Sequence, residues 1–169
     1  MKVSYMLEYV QTLEKSYEDT LRRAVSSKID KRYIQVISEM VSFISSIKTF
    51  LNKAMVLDKV LSELKAGRAC FKWFYSEDRS YVSLTRIDPQ IGISYNGTAL
   101  SVSYLENSIS FNERVIEIKL NEFRDSISIN DIDDIIAKRS VIMKLIGEAS
   151  TALLKYSDEF SICAKAIHR

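Results

Sequence analysis

Among 169 residues the chain has one histidine, one proline, one tryptophan, two cysteines and four glycines, and each shortage excludes something. His168 is the sole imidazole and stands beside the C-terminus, so a serine or cysteine nucleophile has no ordinary base to activate it. The glycines, Gly67, Gly92, Gly97 and Gly147, are too scattered to build GxxxxGK[ST] or GxGxxG, which removes the usual phosphate cradles. Cys70 and Cys163 form no CxxC pair and have no neighbouring histidine, so zinc and thioredoxin-type chemistry is excluded by residue type. Neither sign of charge prevails: 24 basic and 22 acidic residues leave a net charge of +2, which signals neither a polyanion-binding tail nor an acidic one. A run of about 18 apolar residues is also missing, and the first apolar stretch soon meets Glu8 and Glu14, so neither a membrane span nor a signal peptide is expected. The resulting expectation is a cytoplasmic protein with no catalytic residue, no metal, no cofactor and no small-molecule substrate. Sparse proline and glycine beside abundant Ile, Lys and Glu suit a thermophile.

What is present is an ordinary globular composition, 47% apolar and 27% charged, at a length that fits one domain, residues 1–169. From Lys2 to about Ser26, Val3, Met6, Val10, Leu13, Tyr17 and Ala24 form one stripe of an amphipathic helix. Asp30 is placed to cap a second helix, which the four-three rhythm of Tyr33, Ile37, Met40, Ile44, Ile47, Leu51, Ala54, Asp58 and Leu61 carries to about Ala66. A third helix starts at Asn130 and keeps the same rhythm through Ile135, Arg139, Ile142, Ile146, Ala149, Leu153, Tyr156, Phe160, Cys163 and Ile167. At 1.5 Å per residue it would be a rod of about 55 Å. Mid-helix, Gly147 costs about 1 kcal/mol relative to alanine, which close packing would explain.

Between Arg68 and Ile127 the period changes to two. Asn96-Gly97 reads as a two-residue hairpin turn that sets Ile93 opposite Leu100 and Ile91 opposite Val102. A hairpin about Asn112-Glu113 sets Ile109 opposite Ile116. The expected fold class is therefore α+β and mostly α. It is an antiparallel three-helix bundle or long helical hairpin (1–66 and 129–169), with a small antiparallel sheet of five or six strands (68–127) inserted between the second and third long helices.

Three finer expectations follow from that arrangement. Asp58 and Arg139 are the only charges on their seams, and an antiparallel pairing puts them level as a register-setting pair. Cys70 and Cys163 fall at opposite ends, too far apart for a disulfide. Arg68, Lys72, Trp73, Arg79 and Arg86 interleave cations with an aromatic ring on the first hairpin, as a single-stranded nucleic-acid or partner surface requires. The acidic group Asp125, Asp131, Asp133 and Asp134 is read as a helix start favoured by the dipole rather than as a metal site. Long helices carrying a sheet at their joined end resemble, in outline, prefoldin-type chaperone subunits and the small helical subunits of CRISPR effector complexes. No motif accompanies that outline, and the additional first helix departs from the prefoldin pattern. The functional expectation is a non-enzymatic assembly or scaffold subunit, making contacts with a protein partner or with copies of itself. The alternative is a nucleic-acid-binding small subunit of a ribonucleoprotein or DNA-associated complex.

Overall fold

A computed structural model describes residues 1–167. Two helices, α1 (Val3–Ser26) and α2 (Lys31–Ala54), are followed by a 3-10 turn (Met55–Leu57) and the short α3 (Asp58–Glu63). Eight strands come next: β1 (Ala66–Cys70), β2 (Trp73–Glu77), β3 (Val82–Arg86), β4 (Ile91–Tyr95), β5 (Leu100–Tyr104), β6 (Asn107–Phe111), β7 (Val115–Leu120) and β8 (Phe123–Ser128). The chain closes with α4 (Ile132–Ala137), α5 (Arg139–Tyr156) and α6 (Asp158–Ile167). The strands pair in sequence order as one antiparallel meander.

Strand alternation divides this sheet into two unlike faces. The inward rows carry Tyr75, Leu84, Ile93, Val102, Ile109 and Ile118 in one register and Val82, Tyr95, Leu100, Phe111, Ile116 and Ile127 in the next. Most of these are fully buried. The outward rows carry Ser76, Ser83, Ser94, Ser101, Ser110 and Ser126 beside Thr85, Gly92, Ser103 and Ser108, with Glu117, Lys119 and Arg124 on the last two strands. A Cβ at Gly92 would lie 2.6 Å from the Ser103 hydroxyl, so a larger residue there would require the Ser103 side chain to turn away.

The helices lie across the strands. Phe50 of α2 meets Trp73 of β2 with ring centroids 5.3 Å apart, Phe43 meets Phe111 of β6 at 6.0 Å, and the Tyr33 hydroxyl donates to the Ile129 carbonyl, just after β8, at 2.8 Å. Helix α2 therefore runs from the β8 end of the sheet to the β2 end. Its ten buried residues make it the core helix. The stretch Lys31–Glu63 is long and apolar enough to cross a membrane by composition, yet here its apolar side is covered by the sheet and by α1 and α5.

This geometry overturns the expected helical hairpin. Eight strands stepping about 4.8 Å apart carry the chain about 34 Å sideways, close to the roughly 36 Å length of α2. The meander thus returns the chain to where α2 began, and α5 must run parallel to α2. Contacts at both ends agree, since Tyr33 reaches Ile129 while Lys53 donates to Ser157 and Asp158 at 3.2 and 3.0 Å. The sheet is a full layer of eight strands, not a five- or six-stranded insert at a joined end, and the outline shared with prefoldin and CRISPR subunits is lost with it. The expected single rods are also divided. The second helix stops at Ala54 and the third breaks at Lys138 and at Ser157.

The finer expectations change for the same reason. Asp58 opens α3 beyond the far end of α2, whereas the Arg139 guanidinium donates to the Ile136 carbonyl at 2.9 Å beside the start of α2. They form no register pair, because parallel helices put them a helix length apart. Cys70 and Cys163 form a disulfide with Cα atoms 5.8 Å apart, because α6 lies against β1 at the end where the expected hairpin would have pointed away. Asp131, not Asn130, caps α4 by accepting from the Asp134 amide at 3.1 Å. Both hairpin registers are two residues longer than expected: Ile93 faces Val102 and Ile109 faces Ile118. A shift of two keeps every side chain on its face. His168, Arg169 and the side chain of Ile167 lie outside the described residues.

Candidate functional site: the hairpin-turn edge

The seven turns of the meander fall on two edges with different chemistry. The β2–β3, β4–β5 and β6–β7 turns share one design, opening on Asp78, Asn96 and Asn112. Each of these side chains accepts hydrogen bonds from the amides two and three residues on. An Asx side chain that satisfies the turn in this way builds a four-residue loop, which accounts for the longer registers. Helix α1 covers this edge. The N-terminal amine donates to the Asp78 carbonyl, the Tyr9 hydroxyl to Thr98 at 3.0 Å and the Tyr17 hydroxyl to Asn112 at 2.8 Å. Successive turns are thus met at eight-residue steps, by Met1 just before α1 and by Tyr9 and Tyr17 within it. Burial pushes the Tyr9 phenol up to about 12 and Tyr17 well above the ordinary value, so both stay protonated donors.

The opposite edge is built otherwise. Three of its turns, β1–β2, β3–β4 and β5–β6, carry one large exposed apolar side chain each, Phe71 (42% exposed), Ile87 (58%) and Leu105 (51%), and the β7–β8 turn is followed by exposed Phe123 (47%), the first residue of β8 and the partner of Leu120. Phe71 and Leu105 also hold left-handed backbone, at φ 47° and 56°, a conformation that costs a bulky residue about 1 kcal/mol or more and that glycine or asparagine adopts readily. The same edge uses Asn121 in that role at β7–β8, so the chain can supply the easier residue. Hydrogen bonds tie the turns into one continuous rim, from Ile87 N to Lys72 O (3.2 Å), Leu105 N to Gln90 O (2.9 Å) and Asn121 N to Asn107 Oδ1 (3.1 Å). Between three of them lies an open hollow of about 630 Å³, lined by residues that include Gln90, Leu105, Glu106, Asn121, Glu122 and, from β7, Lys119.

The five residues expected to form one basic aromatic surface do not come together. Trp73 is fully buried, packed on Phe50 and Phe160 at 5.3 and 5.0 Å, because alternation points it inward. Its Nε1 is the one buried side-chain nitrogen without an acceptor among the described residues. Arg86 is also inside, with 8% of its side chain exposed. It donates to Glu159 of α6 at 2.9 and 2.8 Å and to the Asp88 carbonyl at 2.7 Å, and its guanidinium lies 3.9 Å from the centroid of Tyr156. Arg68 and Lys72 are exposed at the β1–β2 turn, Arg68 donating to the Phe71 carbonyl and Lys72 pairing with Asp88 at 3.6 Å. Arg79 stands on the α1 edge, within the β2–β3 turn.

The acidic group is likewise accounted for. Lys138 pairs with both Asp125 and Asp134, and its ammonium holds the Asp125 carboxyl below the ordinary range. Among the described residues no group of three or more His, Cys, Asp or Glu side chains could hold a metal. Gly147 has open space where a Cβ would lie, so packing within the chain does not explain it.

The turn edge escaped the sequence reading because its signal is a spacing, not a motif. Phe71, Ile87, Leu105 and Phe123 recur 16, 18 and 18 residues apart, each beside polar turn formers. No protein-family model, curated protein or solved structure matches this chain.

Proposed function

We propose that this protein is a non-enzymatic binding subunit that engages a protein partner through the rim formed by its β1–β2, β3–β4, β5–β6 and β7–β8 turns. One observation carries the reading: the two turn edges of a single sheet differ in kind. Three turns are polar, capped by Asx side chains and covered by α1. Of the other four, three expose an apolar side chain, two of them at the cost of left-handed backbone, and the fourth is flanked by exposed Phe123 of β8. Folding alone rewards Asn or Gly at such positions, and exposed apolar residues in series mark interaction surfaces on monomeric proteins. Backbone strain concentrates where the surroundings use it.

The expected routes to assembly through antiparallel helical seams, or to nucleic acid through a basic aromatic first hairpin, have lost their geometric support. The rim takes their place as the contact surface. Panning a phage-displayed library of random 24-residue peptides against the wild-type protein tests this. Peptides should be enriched that lose binding at least tenfold to the Leu105→Asp/Phe123→Asp variant. Enrichment only of peptides indifferent to those substitutions would overturn the reading. A stability control accompanies it. In Leu105→Asn, relief of about 1 kcal/mol of backbone strain offsets a similar loss from a half-buried side chain, so the melting temperature should stay within a few degrees.

A further inference from the structure

We infer that α6 is a cover held shut by the Cys70–Cys163 bond, and that a dithiol reductant, by cutting that bond, frees α6 to lift from the sheet and open Trp73 and Arg86 to water. Helix α6 is ten residues long, shorter than the roughly 12 residues at which an isolated helix is even marginal in water. It leaves α5 at Ser157, where the helix is interrupted. One side of it faces solvent through Ser161, Ile162, Lys165 and Ala166. The other lies against α2, the 3-10 turn and β1. There Phe160 packs on Phe50 and Trp73 at 5.4 and 5.0 Å, Glu159 pairs with Arg86 at 2.8 Å, Asp158 pairs with Lys53 at 3.0 Å, and Cys163 is bonded to Cys70 of β1.

Two groups beneath α6 are ones that a permanently closed core disfavours. Trp73 is fully buried and its Nε1 has no acceptor among the described residues, so closure leaves a donor with neither water nor a partner. The Arg86 side chain is 8% exposed, and the carboxylate it meets is supplied by α6 itself. Desolvating both charges offsets most of what such a pair gains. Lifting α6 hydrates Glu159, Arg86 and the indole nitrogen together, and what it forfeits is chiefly the burial of Phe160, which is 0% exposed. Non-covalent closure is therefore a near balance. The bond is not: while it is intact, Cα of Cys163 stays 5.8 Å from Cα of Cys70 and α6 cannot leave β1.

Access to the bond is one-sided. Cys70 is 3% exposed, whereas Cys163 is only partly buried, so a thiolate of the reductant attacks the Cys163 sulfur. A mixed disulfide forms there, and Cys70 departs as a thiolate and takes a proton. The second thiol of the reductant then attacks the mixed disulfide and releases Cys163 as a thiol. Two electrons and two protons have passed to the protein, and the reductant ends as its own disulfide. With the bond gone, α6 rests docked most of the time and opens locally, without unfolding of the sheet or of α2.

Amide hydrogen exchange of the full chain, oxidised and then reduced with dithiothreitol, tests this across a series of urea concentrations below the unfolding transition. On reduction the amides of residues 162–165 should lose protection by about tenfold or more and become insensitive to urea, while those in the middle of α2 keep the urea dependence of global unfolding. The Cys70→Ala/Cys163→Ala variant should show the reduced pattern without reductant. Equal protection of α6 in the oxidised and reduced protein would overturn the bond as the latch. Exchange of α6 with the same urea dependence as α2 after reduction would overturn the local opening, since α6 would then leave only when everything unfolds. Alkylation gives a second readout. In the reduced protein iodoacetamide should reach buried Cys70 without urea, and faster in Glu159→Gln. Because the adduct holds α6 away, the emission of Trp73, the sole tryptophan, should shift to longer wavelength in step with Cys70 modification. Modification of Cys70 only at the rate of global unfolding, or full modification with unchanged emission, would overturn the cover.

Discussion

Removing the Cys70–Cys163 bond is the perturbation with the largest calculable effect. The bond joins β1 to α6 across a sequence separation of 93 residues. A cross-link closing a loop of that size removes denatured-state entropy equivalent to about 4.6 kcal/mol at 25 °C. Their Cα separation of 5.8 Å lies within the ordinary range for disulfides. The variant of choice is Cys70→Ala/Cys163→Ala, since serine would leave hydroxyls at a position that is only 3% exposed. Helix α6 keeps three other attachments: Phe160 against Phe50 and Trp73, the Glu159–Arg86 pair and the Asp158–Lys53 pair. The native far-UV spectrum should therefore be unchanged while the unfolding midpoint falls. With a urea slope of about 2 kcal/mol per molar for a chain of this size, the loss corresponds to a midpoint lower by roughly 2 M. In a thermal scan it corresponds to roughly 10–18 °C. The oxidised wild type and the double alanine variant should differ by that amount, and wild type with excess reductant present throughout should follow the variant. A midpoint that moved by less than 0.5 M, about 1 kcal/mol on the same slope, would refute the reasoning.

Other perturbations probe separate parts of the fold. Gly147→Ala should raise stability by about 1 kcal/mol, seen as a melting temperature 2–4 °C higher, because nothing in the structure occupies the space a Cβ would take; a decrease would reveal packing there. Arg86→Ala should cost about 3 kcal/mol or more, since it strands a largely covered Glu159, and the Arg86→Ala/Glu159→Ala double variant should cost less than the sum of the singles, with strict additivity counting against the pair. Asp30 accepts from the Arg32 amide and pairs with its guanidinium, which lowers its carboxyl to about 2. A depressed folded value stabilises the protein above the unfolded value near 4 and loses that contribution as pH falls towards 2. Asp30→Asn should therefore flatten the pH dependence of the melting temperature between about pH 4 and 2, and an unchanged slope would exclude Asp30 as a contributor.

Local chemistry could be read directly from the residues. The stripe Val3, Met6, Val10, Leu13 and Tyr17 specified α1, Asp30 marked the start of α2, and alternation put Ile91, Ile93, Leu100, Val102, Ile109, Ile116 and Ile118 on the apolar face of paired strands. Those signals depend only on neighbours within a turn or a hairpin, so they survive whatever the chain does next. Even the two-residue register errors left every inward residue facing inward, because the period of a strand is two.

Long-range placement could not be read in the same way. Heptad rhythm gives a helix a buried stripe but not the direction of its partner, and only the lateral advance of eight strands, matched to the length of α2, made α5 run parallel to it. That single fact separated Asp58 from Arg139, brought Cys70 within bonding distance of Cys163 and laid α6 over Arg86 and Trp73. The meander itself gave Phe71, Ile87, Leu105 and Phe123 a common edge, since they are strangers in sequence and come to one side only because every second turn of a meander falls there. The sequence by itself determined the apolar stripes of the helices and the alternation of the central strands; the tertiary structure decided which elements lie side by side and that Trp73 and Arg86 are hidden, because hydrophobic burial has a magnitude but no direction.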